Sequence, residues 1–266
     1  MKFTTEQSKQ MKGDYKPPIA TENIAQIEPI VGNKLSLKKK SILRLSKGDI
    51  TPVESNVTVA LDFSVSMKKK YADGTMQKFL IKMLPLFDKL HCPVIDAYLF
   101  NEDFKKLKQL SYLNVETYVR EIIGKSGYKF GATRFGPIIK EIIKSGDKGE
   151  LERRAEATYR GEDEGEVIKS TKPRLIIIVT DGDISDGAYV KSVIDKNVRQ
   201  KASPYFYIFL SLGKEEDFKF SKELSEKYIN VDFVYSEDIN MEDEGHLRDR
   251  LLYNYLEWAN DFKKKL

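Results

Sequence analysis

Two stretches decide the fold of this chain: Val57-Thr-Val-Ala-Leu-Asp-Phe-Ser-Val-Ser66 and Arg174-Leu-Ile-Ile-Ile-Val-Thr-Asp-Gly-Asp183. The first is a β-branched apolar run that ends in a carboxylate, followed by alternating hydroxyls. The second is apolar without interruption from Leu175 to Val179, which marks a strand buried on both faces of a parallel sheet. It too ends in polar residues, Thr180-Asp-Gly-Asp183.

Further elements alternate around these two. Apolar residues at 76, 79, 80, 83, 84, 86, 87 and 90 predict a buried helix from Met76 to Leu90, kinked or broken at Pro85. Val94 to Phe100 reads as a strand, and Phe104 to Leu110 as a half-exposed edge strand joined to it by a hairpin through residues 101–103. Helices are expected over 113–123, 137–143, 188–199, 217–228 and 246–263, and strands over 205–212 and 231–235. Pro137 suits a first helical turn. This alternation predicts an α/β fold: a doubly wound, mostly parallel six-stranded sheet with one antiparallel edge strand and helices on both faces.

Composition narrows the function. The 266 residues hold 45 Lys+Arg and 41 Asp+Glu, a net charge of +4. Ten Lys/Arg and five Asp/Glu fall in residues 1–50, leaving residues 51–266 with 35 against 36, a net charge of −1. The expected organisation is therefore a basic N-terminal arm over 1–50 and one domain over 51–266, with a charged insertion at about 147–170. Residues 34–48 of the arm could form a short helix or an extended segment against the domain. A globally basic nucleic-acid binder is disfavoured, and any nucleic-acid contact would fall to the arm. One cysteine, Cys92, and two histidines, His91 and His246, exclude an intrachain disulfide framework and argue against a His/Cys metal site. His91-Cys92 reads as packing rather than a catalytic pair. The longest aliphatic run is far below the ~20 residues that span a bilayer, and Met1-Lys-Phe-Thr-Thr-Glu-Gln has no signal-peptide core. A cytoplasmic protein without membrane contact is the expectation.

Ligands of doubly wound sheets bind beyond the carboxyl ends of the strands, where strand order reverses. Asp62, Ser64 and Ser66 follow one strand and Asp181 another, and Tyr128-Lys-Phe-Gly-Ala-Thr133 lies between them. Asp62, Ser64, Ser66, Thr133 and Asp181 would converge as an all-oxygen set. Such hard donors suit Mg²⁺ first, with Ca²⁺ or Mn²⁺ as alternatives. Thr117 and Thr158 compete with Thr133 on residue type, and the Gly-Ala context of Thr133 decides for it. Asp183 and Asp186 read as turn and helix-cap residues.

With these residues the chain resembles a von Willebrand factor A-type domain carrying a metal-ion-dependent adhesion site. Asp62-Phe-Ser-Val-Ser66, Thr133 and Thr180-Asp-Gly182 match its three-part pattern in order, over roughly residues 55–235. The resemblance implies that Ser64, Ser66 and Thr133 are close metal ligands, with Asp62 and Asp181 acting largely through metal-bound water. It also implies a protein partner that supplies an Asp or Glu to the metal. A narrower similarity is to the bacterial tellurite-resistance and stress-response subgroup, through Phe100-Asn-Glu-Asp-Phe104, Gly131-Ala-Thr-Arg-Phe-Gly-Pro-Ile-Ile139, Thr180-Asp-Gly-Asp-Ile-Ser-Asp186 and residues 247–258. Val65 stands where that pattern often has Gly, which removes no ligand. The expected function is a divalent-metal-dependent binding module, not an enzyme. The enzyme alternative is a Mg²⁺-dependent haloacid-dehalogenase-like phosphatase, but Ser64 stands where its acid/base Asp is required.

Overall fold

The computed structural model describes residues 52–198 and 203–266. The expected arm over 1–50, with its segment at 34–48, lies outside the described residues.

The uninterrupted apolar run becomes the centre of the sheet. Strand β1 (Asn56–Asp62) pairs in parallel with β2 (Val94–Phe100) on one side and with β5 (Arg174–Thr180) on the other. Beyond β5 lie β6 (Tyr205–Leu212) and β7 (Val231–Ser236), both parallel. Leu175 to Val179 are all buried, each contributing roughly 1.5–3 kcal/mol of hydrophobic stabilisation. Every residue of β6 is buried as well, so two helical layers must cover this sheet.

Alternation along the strands divides the core in two. Val59, Leu61, Ile177, Val179, Ile208 and Leu210 face one layer. That layer contains α2 (Thr75–Lys82), α3 (Leu84–Lys89) and the last helix, α8 (Glu244–Lys265). Ala60, Ile176, Ile178, Tyr207 and Phe209 face the other. There lie α4 (Phe135–Tyr159), α6 (Gly187–Val198) and α7 (Lys219–Lys227). The expected break at Pro85 falls at Met83, between α2 and α3. A short helix α1 (Lys68–Ala72), not expected from the sequence, follows the serines. Cys92 is buried and bonded to the Val94 carbonyl, whereas His91 is exposed in a left-handed turn, so the two form no reactive pair.

The edge departs from the six-strand expectation. Instead of one strand over 104–110, two short strands, β3 (Phe104–Lys106) and β4 (Leu110–Ser111), pair antiparallel with opposite ends of β2, giving seven strands. The charged stretch also has a definite form. Helix α4 runs on to Tyr159, and α5 (Glu164–Lys169) folds back against it. Arg153 joins them, bonding Glu150 at 2.7 Å, Ser170 Oγ at 2.7 Å and the Val167 carbonyl at 2.8 Å. Burial opposes the Glu150 charge, but hydrogen bonds from Arg153, Arg154 and Thr171 outweigh it and hold its pKa down to about 2.

The sheet order β3-β2-β1-β5-β6-β7 fixes where a ligand would bind. The chain steps from β1 outward to β2, then returns to place β5 on the opposite side of β1. Strand order reverses there, and the carboxyl ends of β1 and β5 are the switch point.

Candidate functional site

Asp62 ends β1 at this switch point with its side chain fully buried. The Ser64 backbone N–H donates to its Oδ1 at 2.8 Å, an Asx turn that reverses the chain just past the strand. Thr180 Oγ1, at the end of the adjacent strand β5, donates to its Oδ2 at 2.7 Å. The turn brings the Ser64 and Ser66 hydroxyls to 3.0 Å from each other. Ser66 Oγ in turn donates to Asp181 Oδ1 at 2.6 Å. Four of the five expected residues are thus linked in one hydrogen-bonded series, Asp62 to Ser64 through the Ser64 backbone N–H and Ser64 to Ser66 to Asp181 through the hydroxyls.

Thr133 reaches the same place by a different route. Its loop lies against the serine turn through a parallel bridge between Gly131 and Ser64, with Val65 N–H donating to the Gly131 carbonyl at 3.0 Å. The Ser185 hydroxyl donates to the Thr133 carbonyl at 2.7 Å, tying this loop to the aspartate loop. No direct bond joins the Thr133 hydroxyl to Ser64, Ser66 or Asp181, and it has no hydrogen-bond partner among the described residues. The competing Thr158 bonds back to the Arg154 carbonyl within α4. Gly131 is required by close approach. A Cβ there would come within 2.9 Å of Asn101 Nδ2, and Asn101 is held by bonds to the Lys129 carbonyl and the Tyr128 hydroxyl.

Two other acidic residues act as caps, as the sequence indicated, but on helices distant in the chain. Asp183 accepts from Phe220 N and Ser221 N at the start of α7. Asp186 accepts from Phe135 N at 2.9 Å and Gly136 N at 2.8 Å at the start of α4. Both carboxylates satisfy N–H groups that a helix cannot satisfy itself. They hold the loops around the site and are not part of its hydrogen-bonded series.

Several residues escaped the sequence reading. Lys70 of α1 places its ammonium 2.8 Å from Asp181 Oδ2. Thr180 orients Asp62, and the buried Tyr71 hydroxyl donates to the Asp62 carbonyl at 3.0 Å. Phe63 stacks on Phe130 with ring centroids 3.8 Å apart, bracing the serine turn against the Thr133 loop. Lys70 lies four residues after Ser66 in a run of three lysines, which places a positive charge near the turn but does not mark its pairing with Asp181.

Burial is the largest influence on Asp62 and pushes its carboxyl up to about 6; hydrogen bonds from Thr180 and Ser64 oppose the rise and the nearby Asp181 charge adds to it. Burial also pushes the Tyr71 phenol well above its ordinary range, keeping it a neutral donor. Among the described residues, no group of three or more His, Cys, Asp or Glu side chains is placed to hold a metal ion. A cation here would depend on hydroxyls as much as on carboxylates. The donor set of two carboxylates and neighbouring hydroxyls, with no nitrogen or sulfur, fits a hard divalent ion.

A doubly wound sheet with an Asp-x-Ser-x-Ser turn, a threonine loop and an aspartate loop at its switch point defines a von Willebrand A-type domain. Residues 54–266 match the family described as the vWA found in the TerF C terminus, and the chain belongs to this vWA-TerF-like family. It is similar to YcbR of Bacillus subtilis (strain 168), 26% identical over 238 residues that cover 87% of this chain and 88% of that protein. Among solved structures, it is similar to an aerotolerance-related membrane protein from Bacteroides fragilis NCTC 9343, at 15% identity and a TM-score of 0.45, covering 80% of this chain and 100% of that one. It is also similar to proximal thread matrix protein 1 from the mussel byssus with a zinc-occupied MIDAS motif, at 14% identity and a TM-score of 0.42, covering 81% and 46%. Among the described residues, no helix is long and apolar enough to cross a membrane.

Proposed function

We propose that the chain is a divalent-cation-dependent protein-binding module that captures an acidic side chain of its partner. Ser64, Ser66 and Thr133 would hold the ion directly, with Asp62 and Asp181 behind them, and Mg²⁺ is the ion this donor set favours. When bound, the ion supplies a concentrated positive charge with a coordination position open to a carboxylate. The single observation that carries this reading is the hydrogen-bonded series Asp62–Ser64–Ser66–Asp181, joined through the Ser64 N–H and the two serine hydroxyls, at the sheet's switch point.

The chain's own residues prepare the site. Thr180 and the Ser64 N–H fix both Asp62 oxygens, while Tyr71 and the Phe63–Phe130 stack hold the turn rigid. Exposed Lys68 and Lys69 on α1 place further positive charge beside the site, which favours an acidic partner. Val65, 65% exposed, offers an apolar rim that a partner would cover. By its family, the module would serve in a tellurite-resistance-like or stress-response complex. A hydrolytic role is not proposed, because the nucleophile it would need, Asp62, is fully buried with both oxygens engaged.

Titration calorimetry with MgCl₂ should show one binding event, lost in Ser64→Ala. Affinity capture from the native source should yield a partner that chelator releases and that the Ser64→Ala protein fails to retain. A partner retained equally in chelator would refute the metal-bridged mechanism.

A further inference from the structure

The groove between α4 and α6 takes no part in the strand-end site. The two helices touch near their first turns, where a Cβ on Gly136 would come within 2.2 Å of the Tyr189 ring. Farther along, a cavity of about 650 Å³ opens between them. Ile143 and Leu151 line it from α4, and Tyr189 and Val193 from α6, with Leu151 68% exposed. A volume of this size with mostly apolar walls suits a small organic ligand.

Its charge is one-sided. Lys140, Lys144, Lys148 and Lys196 stand around the opening. Lys148 pairs with Glu152 at 3.6 Å, and the other three have no acidic partner among the described residues. Asp147, the carboxylate of the lining, is committed to the Tyr205 hydroxyl at 2.7 Å. In a body whose net charge is close to zero, this is a local excess of positive charge beside exposed apolar surface. Lysine stems extend such a surface while their ammonium groups stay in water.

A second observation points to an acceptor-bearing ligand. Asn197 lines the groove and is only 2% exposed. Its Oδ1 accepts from Ser203 Oγ at 2.7 Å and from the Tyr207 hydroxyl at 3.0 Å, whereas its Nδ2 has no partner among the described residues. An unmade hydrogen bond at a buried amide costs ~1–3 kcal/mol, and a ligand acceptor that displaced the atoms covering Nδ2 would recover it.

We propose that this groove binds a small amphipathic carboxylate. Its hydrocarbon body would lie against Ile143, Leu151 and Val193, and its head group would sit among the lysines within reach of Asn197. The chain's own N-terminal segment does not fit, because residues 1–50 carry ten basic against five acidic side chains and the rim would repel them. An acidic helix from a partner fits less well. A helix is ~10–12 Å across with its side chains, too broad to bring an acceptor to an amide as deeply buried as that of Asn197.

The test is an NMR titration of the full chain with decanoate below its micelle concentration, reading the methyl signals of Leu151 and Val193 and the side-chain amide of Asn197. Saturable shifts confined to these groups are expected, and decyltrimethylammonium of matched length should produce none. Lys144→Glu combined with Lys196→Glu should weaken decanoate about tenfold. Both lysines are exposed, and the milder pair Lys144→Gln and Lys196→Gln should weaken it in the same direction should the double reversal fail to fold. Equal binding of the cationic amphiphile, shifts centred elsewhere, or unchanged affinity in a folded lysine variant would overturn the proposal. So would an acidic helical peptide shifting the same signals when decanoate does not.

Discussion

Asp62→Asn should make the metal-free protein more stable at neutral pH, although it removes a residue at the heart of the site. Burial raises the Asp62 carboxyl from 3.8 to about 6 in the folded chain. Between those values the folded state binds more protons than the unfolded state, so stability falls as pH rises. The contribution of the protonated group is fully present below pH 3.8 and is lost as pH passes through about 6. A shift of about 2 units corresponds to about 3 kcal/mol between these limits. The substitution is close to isosteric. Asn Oδ1 can keep the Ser64 N–H bond, and its amide can donate to Thr180 Oγ1, which turns its own hydrogen toward the Gly182 carbonyl, 3.0 Å away. Urea unfolding in chelator, run from pH 4 to pH 8 on both proteins, isolates the effect because all other titrating groups are shared. The gap should open in favour of the variant with rising pH, by up to about 3 kcal/mol, and level off above pH 7. Added Mg²⁺ at pH 8 should stabilise only the wild type. A pH-independent gap, or a wild type that gains on the variant above pH 6 without metal, would refute the reasoning.

Two further perturbations test the surroundings. Lys70→Met frees Asp181 from an ammonium 2.8 Å away and should tighten Mg²⁺ binding by about fivefold in calorimetry; unchanged or weaker binding would mean that Lys70 supports the site rather than competing in it. Glu150→Gln should destabilise the chain at pH 7, because the folded carboxylate, with its pKa held at about 2, adds stability that is present above pH 4.5 and lost as pH falls toward 2. Denaturation curves of the two proteins should therefore converge in acid, and a gap that persists at pH 2 would count against the Arg153–Glu150 clasp as its source.

What the sequence made legible, and what it hid, divides by distance along the chain. The Leu175–Val179 run announces a central strand, and Pro85 announces a break, because burial and backbone chemistry there are local properties. Asp62-x-Ser-x-Ser66 is legible for the same reason: its turn closes on itself within two residues. The expected helix over 113–123 instead forms a 3₁₀ turn at Val115–Thr117 and a π-helical turn at Val119–Ile123. Gln77, buried on α2, reaches over to accept from Val119 N and to donate to the Val115 carbonyl, competing for the backbone groups an α-helix would use. Likewise Phe104–Leu110 alternates like a single strand, but its ladder with β2 is interrupted after Leu107, whose N–H still donates to the Ala97 carbonyl at 2.8 Å, and resumes only at Leu110. Helix α4 outruns its expected end because Glu150 pairs with Arg153 and Arg154 at helical spacing, and this support shows only as high charge density in the sequence. The links from Lys70 to Asp181 and from Thr180 to Asp62 span 111 and 118 residues, and no local pattern encodes them.

On the proposed function, those long links would also favour a carboxylate over other ligands. Asp62 and Asp181 contribute two negative charges and Lys70 one positive charge, linked through the Ser64 backbone N–H and the serine hydroxyls. With Asp62 ionised the cluster carries one net negative charge. A dication among these oxygens would convert it to one net positive charge, and a single acidic side chain from a partner would return it to neutrality. A neutral partner group would leave that positive charge uncompensated under the covering surface, and a basic one would add to it. Dianionic groups such as phosphate would overshoot in the other direction, beside a carboxylate that burial already disfavours in its charged form. The proposed selectivity for Asp or Glu would therefore follow from the charge count that Lys70 completes. Lys70→Met, by leaving the metal-loaded cluster neutral, should weaken capture of an acidic partner even as it tightens the metal. Separate titrations with Mg²⁺ and with the partner would show these opposite signs, and two shifts in the same direction would break the argument.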